Sequence, residues 1–234
     1  MSVRVFCSPD QTPEPGATIE LDGEESHYLL RVRRRRVGDP LHLMNGHGKS
    51  WDAICVESPS TKCARVTVGL PLLPSKDPLE LVLVLAMIES SALGRALTSA
   101  AELGVREIQL VRCARSQDQT LPRKRIDRIM RSSMRQSGRP RPPQIHAPLP
   151  IAEALGRYPH HSGFIAWEAL ASPSAPGLTC DNHRRLLVIG PEGGFVTDEI
   201  ELTHQQGLRP VGLGPWTLRS EIAVVAGLAL VRSL

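Results

Sequence analysis

The chain has 234 residues, with 28 Lys and Arg against 24 Asp and Glu, a formal net charge of +4 and a pI near 9.0. With 41% hydrophobic and 22% charged residues it can build a sizeable core, which at 3% aromatic must rest on Leu, Val, Ile and Ala, and it reads as neither disordered nor fibrous. Its longest apolar run, residues 222–231, is shorter than the roughly 20 residues of a membrane span, no leader pattern opens it, and five scattered cysteines without a CxxC argue against a disulfide scaffold. A reducing, cytoplasmic setting is therefore expected.

Residues 1–72 read as a small β-barrel or sandwich. Short β segments are predicted at 3–6, 17–21, 41–44, 51–56 and 64–68, with Asn45-Gly46 as a turn signal. Pro71, Pro74 and Pro78 mark a linker, because proline suits neither helix interior nor ladder. Residues 78–234 then alternate strand and helix, the pattern of an α/β domain with a mostly parallel sheet. Strands are predicted at 79–87, 107–111, 163–167, 186–190 and 209–213. Helices are predicted at 91–103, closed by Gly104, and at 123–135, 151–155, 197–205 and 220–234. Asp198 with Glu201 three residues later suggests a capping box.

The modest net charge hides strong local clusters. Residues 1–74 hold nine basic and nine acidic side chains, yet Arg31 and Arg33 to Arg36 fall together within them. Residues 112–141 hold ten basic and two acidic side chains, a net of +8. Two arginine-dominated clusters are the footprint expected for a phosphate backbone, since a guanidinium grips phosphate bidentately and stacks on bases.

Two glycine turns follow predicted strands: Gly190-Pro191-Glu192-Gly193-Gly194 and Gly212-Leu213-Gly214-Pro215. In parallel α/β folds ligands bind at the carboxyl ends of strands, and glycine lets backbone approach them closely. Neither turn has the spacing of a Walker loop or a dinucleotide fingerprint. Arg219 and Glu221 stand at the start of the last helix. His160, His161 and His183 lack ligand spacing and no HExxH occurs, so no metal site is expected.

Five stretches in order carry a resemblance that covers essentially the whole chain: His27 to Arg34, Ala101 to Val105, Gln136-Ser137-Gly138-Arg139, Ile189 to Phe195, and Leu213 to Glu221. In them the sequence resembles the ribosomal RNA small subunit methyltransferase E family of the SPOUT superfamily. The resemblance implies an N-terminal PUA-like β-barrel and a C-terminal SPOUT-type α/β domain with a trefoil knot. It also implies a homodimer that uses S-adenosylmethionine (SAM) to methylate N3 of a uridine in 16S rRNA of the small ribosomal subunit. Carried over by position, SAM would be held by the loop after the strand 163–167, by Gly190 to Gly194 and by Leu213 to Leu218, with Trp167, Ile189, Gly190, Glu192, Gly193, Gly194, Leu213, Gly214 and Leu218 as the site residues. Arg31, Arg33, Arg34, Arg115, Arg135 and Arg139 would meet RNA. Arg219 and Arg139 would stabilise the deprotonated uridine or place it, with Glu221 orienting Arg219, and Gly193→Val would block the cofactor pocket.

The sequence departs from the family pattern at the RNA-facing positions. Glu89, Ala92 and Ser99 stand where lysines are usual, Arg135 replaces a glutamate, and Ile222 replaces a threonine. Two alternatives stay open: a catalytically weak or inactive RNA-binding homologue, and a SPOUT methyltransferase with another RNA target.

Overall fold

The computed structural model describes residues 3–60, 63–73, 77–117, 119–168, 179–180 and 182–234. The chain forms two compact units. The first comprises residues 1–76 and 131–142, the second residues 77–130 and 143–234. A linear division into 1–72 and 78–234 therefore misses a return: residues 131–142 rejoin the first unit, for a reason that lies in Glu25.

In the first unit, β1 (Val3–Phe6), β2 (Thr18–Glu20), β3 (Pro40–Met44), β4 (Ser50–Ser60) and β5 (Cys63–Pro71) form one sheet in the order β1-β3-β4-β5-β2. β1 runs parallel to β3; the other pairs are antiparallel. Alternate residues such as Val3 and Val5, Leu41 and Leu43, and Val66 and Val68 point into a core that also takes Leu29 and Trp51, the period-2 signature of a half-buried sheet. Between β2 and β3 lies a helix unmarked by hydrophobic periodicity, α1 (Gly23–His27), continued by a π-helical turn (Tyr28–Val32). Asp22 caps α1 by accepting the Glu25 N–H at 2.7 Å.

Glu25 is fully buried and accepts the Phe6 N–H at 3.0 Å. Its carboxylate pairs with Arg131 at 2.7 Å and, closer still, with Arg135. Arg135 also lies over the Tyr28 ring, 4.1 Å from its centroid, and Arg131 over Phe6 at 5.0 Å. A buried carboxylate needs such partners, and these contacts draw residues 131–142 into the first unit. Arg4 adds hydrogen bonds to the carbonyls of Arg135 and Gln136. Gly138, at φ +80°, leaves room for that guanidinium: a Cβ there would stand 2.7 Å from an Arg4 nitrogen.

The second unit is built on a six-stranded, wholly parallel sheet. Its strands are β6 (Glu80–Ala86), β7 (Glu107–Arg112), β8 (Gln144–Pro150), β9 (Ser162–Ala166), β10 (Arg184–Ile189) and β11 (Arg209–Val211), in the order β11-β9-β10-β6-β7-β8. β6 and β10 are central and almost continuously apolar, as strands covered on both faces must be. β8 escaped prediction because Pro148 and Pro150 break the strand pattern; as an edge strand it tolerates them.

One face of the sheet packs on α2 (Ser90–Glu102) and α6 (Ser220–Ser233) through Leu83, Leu85, Leu97, Val224 and Leu228. The other face packs on α4 (Ile151–Gly156) and α5 (Thr197–Gln205). Gly104, at φ +88°, ends α2 as expected. The basic helix α3 (Arg123–Ser137) begins in the second unit and finishes in the first. Gly227 lets α6 approach β10: a Cβ there would come within 2.8 Å of Leu187. Arg185, 7% exposed, donates to the carbonyls of Val231 (2.6 Å), Cys180 (2.8 Å) and Asn182 (3.1 Å). Its charge thus rests at the negative end of α6 and fixes that end to β10.

The α5 cap differs from expectation. Val196 precedes the helix, and the Glu199 carboxylate accepts the Val196 N–H at 3.0 Å and the Ala114 N–H at 2.7 Å. Asp198 and Glu201 form no box, because the helix starts two residues earlier than their spacing requires. No described helix is long and apolar enough to cross a membrane.

Candidate active site

β11, β9 and β10 are neighbours in a parallel sheet, so their C-terminal loops emerge side by side. Those loops line one cleft that is open to solvent. Trp167 and Glu168 enter it from the loop after β9, and Gly190, Pro191, Gly194 and Phe195 from the loop after β10. Leu213 to Leu218 supply the third wall, and Ser220 and Ala223 of α6 close it. This is where an α/β sheet binds ligands.

The glycines are explained by what surrounds them. A Cβ on Gly190 would stand 2.8 Å from the Phe195 ring. Gly194, at φ +71°, closes a turn by donating to the Pro191 carbonyl at 2.9 Å, and a Cβ there would meet the Glu168 carboxylate at 2.9 Å. The turn is held from three sides. Glu192 accepts the Glu89 N–H at 3.1 Å, the Gly193 carbonyl accepts from Arg115 at 2.7 Å, and the Gly190 carbonyl accepts the Ser220 hydroxyl at 3.0 Å.

Of the nine residues expected at the cofactor, the cleft gathers Trp167, Ile189, Gly190, Gly194, Leu213, Gly214 and Leu218. Glu192 and Gly193 do not line it. Gly193 faces Arg115, and a new Cβ would lie 3.2 Å from the Arg115 Cβ and Cδ, so Gly193→Val presses on that residue outside the cleft lining. Trp216 and Thr217 line it within the expected segment Leu213 to Leu218, and Phe195 and Ser220 line it unexpectedly, although both lie within the two quoted motifs. The loop expected to hold SAM after the strand 163–167 falls partly on residues 169–178, outside the described residues.

Glu221 is paired with Arg95, not with Arg219: Arg95 donates to its carboxylate at 2.9 Å. Burial pushes the Glu221 carboxyl up, but its own backbone N–H at the start of α6, Arg95 and the charge of Arg219 outweigh that and hold it below the usual carboxylate range. Arg219 is exposed and makes no side-chain hydrogen bond or ion pair with a described residue. At the departed lysine positions, Glu89 caps α2 by accepting the N–H groups of Ser91 and Ala92, and Ala92 is buried. Three hydrogen bonds from Ser91 and Ala92 hold the Glu89 carboxyl down at about 2.

Arg31, Arg33 and Arg34 are exposed on the first unit. Arg34 adopts φ +53°, a left-handed conformation unusual for a long side chain, and the Arg35 N–H beyond it closes back on the Leu29 carbonyl at 3.0 Å. Arg135 has a side chain only 15% exposed and is neutralised by Glu25. Arg139 belongs to the first unit, Arg115, Arg219 and Glu221 to the second. Among the described residues no three His, Cys, Asp or Glu side chains cluster as a metal site.

A family model of the RNA methyltransferase domain matches residues 75–232, and one of the RNA methyltransferase PUA domain matches residues 21–61. A ribosomal RNA small subunit methyltransferase E of Mycobacterium bovis is 30% identical over 236 residues, across 95% of this chain and 88% of the relative. The chain belongs to the ribosomal RNA small subunit methyltransferase E family. The family's protein from Synechocystis is 28% identical, across all of this chain and 78% of the relative. Among solved structures, a Legionella pneumophila protein in complex with SAM aligns with a TM-score of 0.83 at 26% identity, across 100% and 98% of the two chains. The family's Neisseria gonorrhoeae protein, bound to SAM, aligns with a TM-score of 0.84 at 24% identity over the same shares and shares this α/β fold.

Proposed function

We propose that this protein uses SAM to methylate N3 of a uridine in 16S rRNA of the small ribosomal subunit, and that it works as a homodimer in the cytoplasm. The observation that carries the reading is the cleft itself: two glycine turns at the ends of neighbouring parallel strands, in a chain of this family. Its residues fit an adenosyl group. Its walls combine main chain with Ile189, Leu213 and Leu218, and a Cβ at Gly190 or Gly194 would crowd it. The Legionella pneumophila complex with SAM supports the same ligand. When bound, SAM supplies an electrophilic methyl group on a sulfonium.

The chain's own residues would then hold the uridine with N3 stripped of its proton and stabilise the resulting anion. Arg219 and Arg139 are the cations proposed for this, with Glu221 and Arg95 fixing the first turn of α6 beside Arg219. Arg31, Arg33, Arg34 and Arg115 would meet RNA phosphates. The trefoil knot belongs to the same proposal. Nucleoside mass spectrometry of small-subunit rRNA from a strain lacking this protein tests the reading directly. Loss of 3-methyluridine, restored by the purified protein with SAM, is expected; unchanged 3-methyluridine refutes it, and loss of a methyl mark from another RNA points to a different target.

The dimer has its own support in α6. Ile222 and Val225 are 50% and 39% exposed, and with Ala226 and Ala229 they form a charge-free stripe at helical spacing. Such a stripe suits the self-complementary contact of a two-fold dimer. Placing charge there with Val225→Glu is expected to turn a dimer into a monomer in sedimentation velocity. A parent that sediments as a monomer, or a variant that stays dimeric, would remove α6 from the interface.

A further inference from the structure

The most exposed aromatic side chain among the described residues stands at the cofactor cleft. Trp216 is 81% exposed, yet it lines the cleft together with Thr217 and Leu218. The other two tryptophans are used in packing. Trp51 is 3% exposed in the core of the first unit, and Trp167 meets His204 edge-on with ring centroids 6.3 Å apart. Burying an indole removes about 150–250 Å² from water, and Trp216 forgoes most of that. The turn does not require an indole, because Gly214 at φ +127° and Pro215 set its path. Arg219, three residues further on, is exposed and makes no side-chain hydrogen bond or ion pair with a described residue, although Glu221 feels its charge. One short segment thus offers an exposed indole that lines the cleft and, three residues on, a guanidinium without a hydrogen-bond or ion-pair partner among the described residues, beside a cleft that Trp167, Glu168 and Phe195 also line.

We infer that Trp216 is the stacking platform for the pyrimidine that is methylated, holding the swung-out base against the cleft while Arg219 takes its polar edge or an adjoining phosphate. This rests on the function proposed above. A ring nitrogen on the pairing edge of a base is reachable only when the base is unpaired and out of the stack. Proteins hold such bases on aromatic faces and on guanidinium groups, and an indole already exposed needs no rearrangement to receive one. Stacking is tolerant of base identity, so Trp216 would contribute affinity and placement, and discrimination would fall to groups that meet the base edge.

The test compares the full-length parent with Trp216→Ala and Trp216→Phe. In a methyl-transfer assay on small-subunit rRNA, Trp216→Ala is expected to raise KM for RNA roughly ten- to hundredfold, the span of one lost stacking contact. Trp216→Phe should stay close to the parent. SAM affinity by calorimetry should change far less than KM for RNA, and the sedimentation coefficient should be unchanged in both. Single-stranded octauridylate should quench the fluorescence of the parent and leave that of Trp216→Ala unaltered. An unchanged KM for RNA, a parallel loss of SAM binding, or a change in oligomeric state would each overturn the inference, the last two by assigning the ring to the cofactor or to a second copy. If the parent transfers no methyl group to rRNA, the functional reading fails, and quenching by octauridylate still decides whether Trp216 stacks on a base.

Discussion

Gly190→Val is expected to abolish SAM binding in calorimetry and to lower the melting temperature. The new Cβ would stand 3.0 Å from one Phe195 ring carbon and 2.8 Å from another, the latter closer than real Cβ atoms come. The ring cannot simply swing aside, because Phe195 packs against the apolar cluster under α4 and α5 and also lines the cleft. Overpacking of this kind costs about 1–3 kcal/mol for small additions, and valine adds two further methyl groups. Gly193→Val is the informative partner. Its Cβ would lie 3.2 Å from the Cβ and Cδ of the exposed Arg115, milder crowding than at Gly190 and outside the cleft lining, so SAM affinity should fall far less than at Gly190. Gly156→Ala, where a Cβ meets nothing within 4 Å, serves as a control for handling losses. Equal losses at Gly190 and Gly193, or none at Gly190, would show that the cofactor lies elsewhere.

The parts of this architecture that were legible in the sequence are those with short-range causes. Residues 79–87 announced a central strand because burial on both faces demands an unbroken apolar run, and β6 is that strand. Gly104 and the turns at Gly190 and Gly214 were legible because positive φ or close packing leaves few alternatives to glycine. Failures came where the cause lies far away in the chain. Nothing near Glu25 suggests a buried carboxylate, since its partners Arg131 and Arg135 lie more than one hundred residues later. The same pair bears on Arg135: in sequence a basic run looks the same whether its charges are free or, as at Arg135, already paired. Arg95 and Glu221 are likewise separated by 126 positions, whereas Arg219 and Glu221 are adjacent enough to invite a pairing the structure does not show. At β8 the edge position permits the prolines that a local pattern rejects.

Glu25→Ala is expected to cost the first unit about 3–5 kcal/mol, the usual penalty for removing one partner from a buried ion pair, read as a lower urea midpoint. The carboxylate is fully buried and takes three partners: the Phe6 N–H, Arg131 and Arg135. Removing it orphans a buried backbone donor in β1 and leaves Arg135, with a side chain 15% exposed, without a counter-charge. Arg131, at 32%, is better placed to turn toward water and should contribute less. The cost is thus mainly one of uncompensated cation burial, and that attribution can be separated from lost packing. Adding Arg135→Met to Glu25→Ala removes the stranded charge while keeping an apolar chain on Tyr28, and is expected to restore part of the lost stability. A double variant no more stable than Glu25→Ala would place the loss in the backbone donor and the packing of α1. The same pair bears on RNA binding. Arg135→Met alone should leave the salt dependence of RNA affinity nearly unchanged, because its charge is already matched by Glu25, whereas neutralising the exposed Arg33 or Arg34 should lower that slope by about one phosphate contact each.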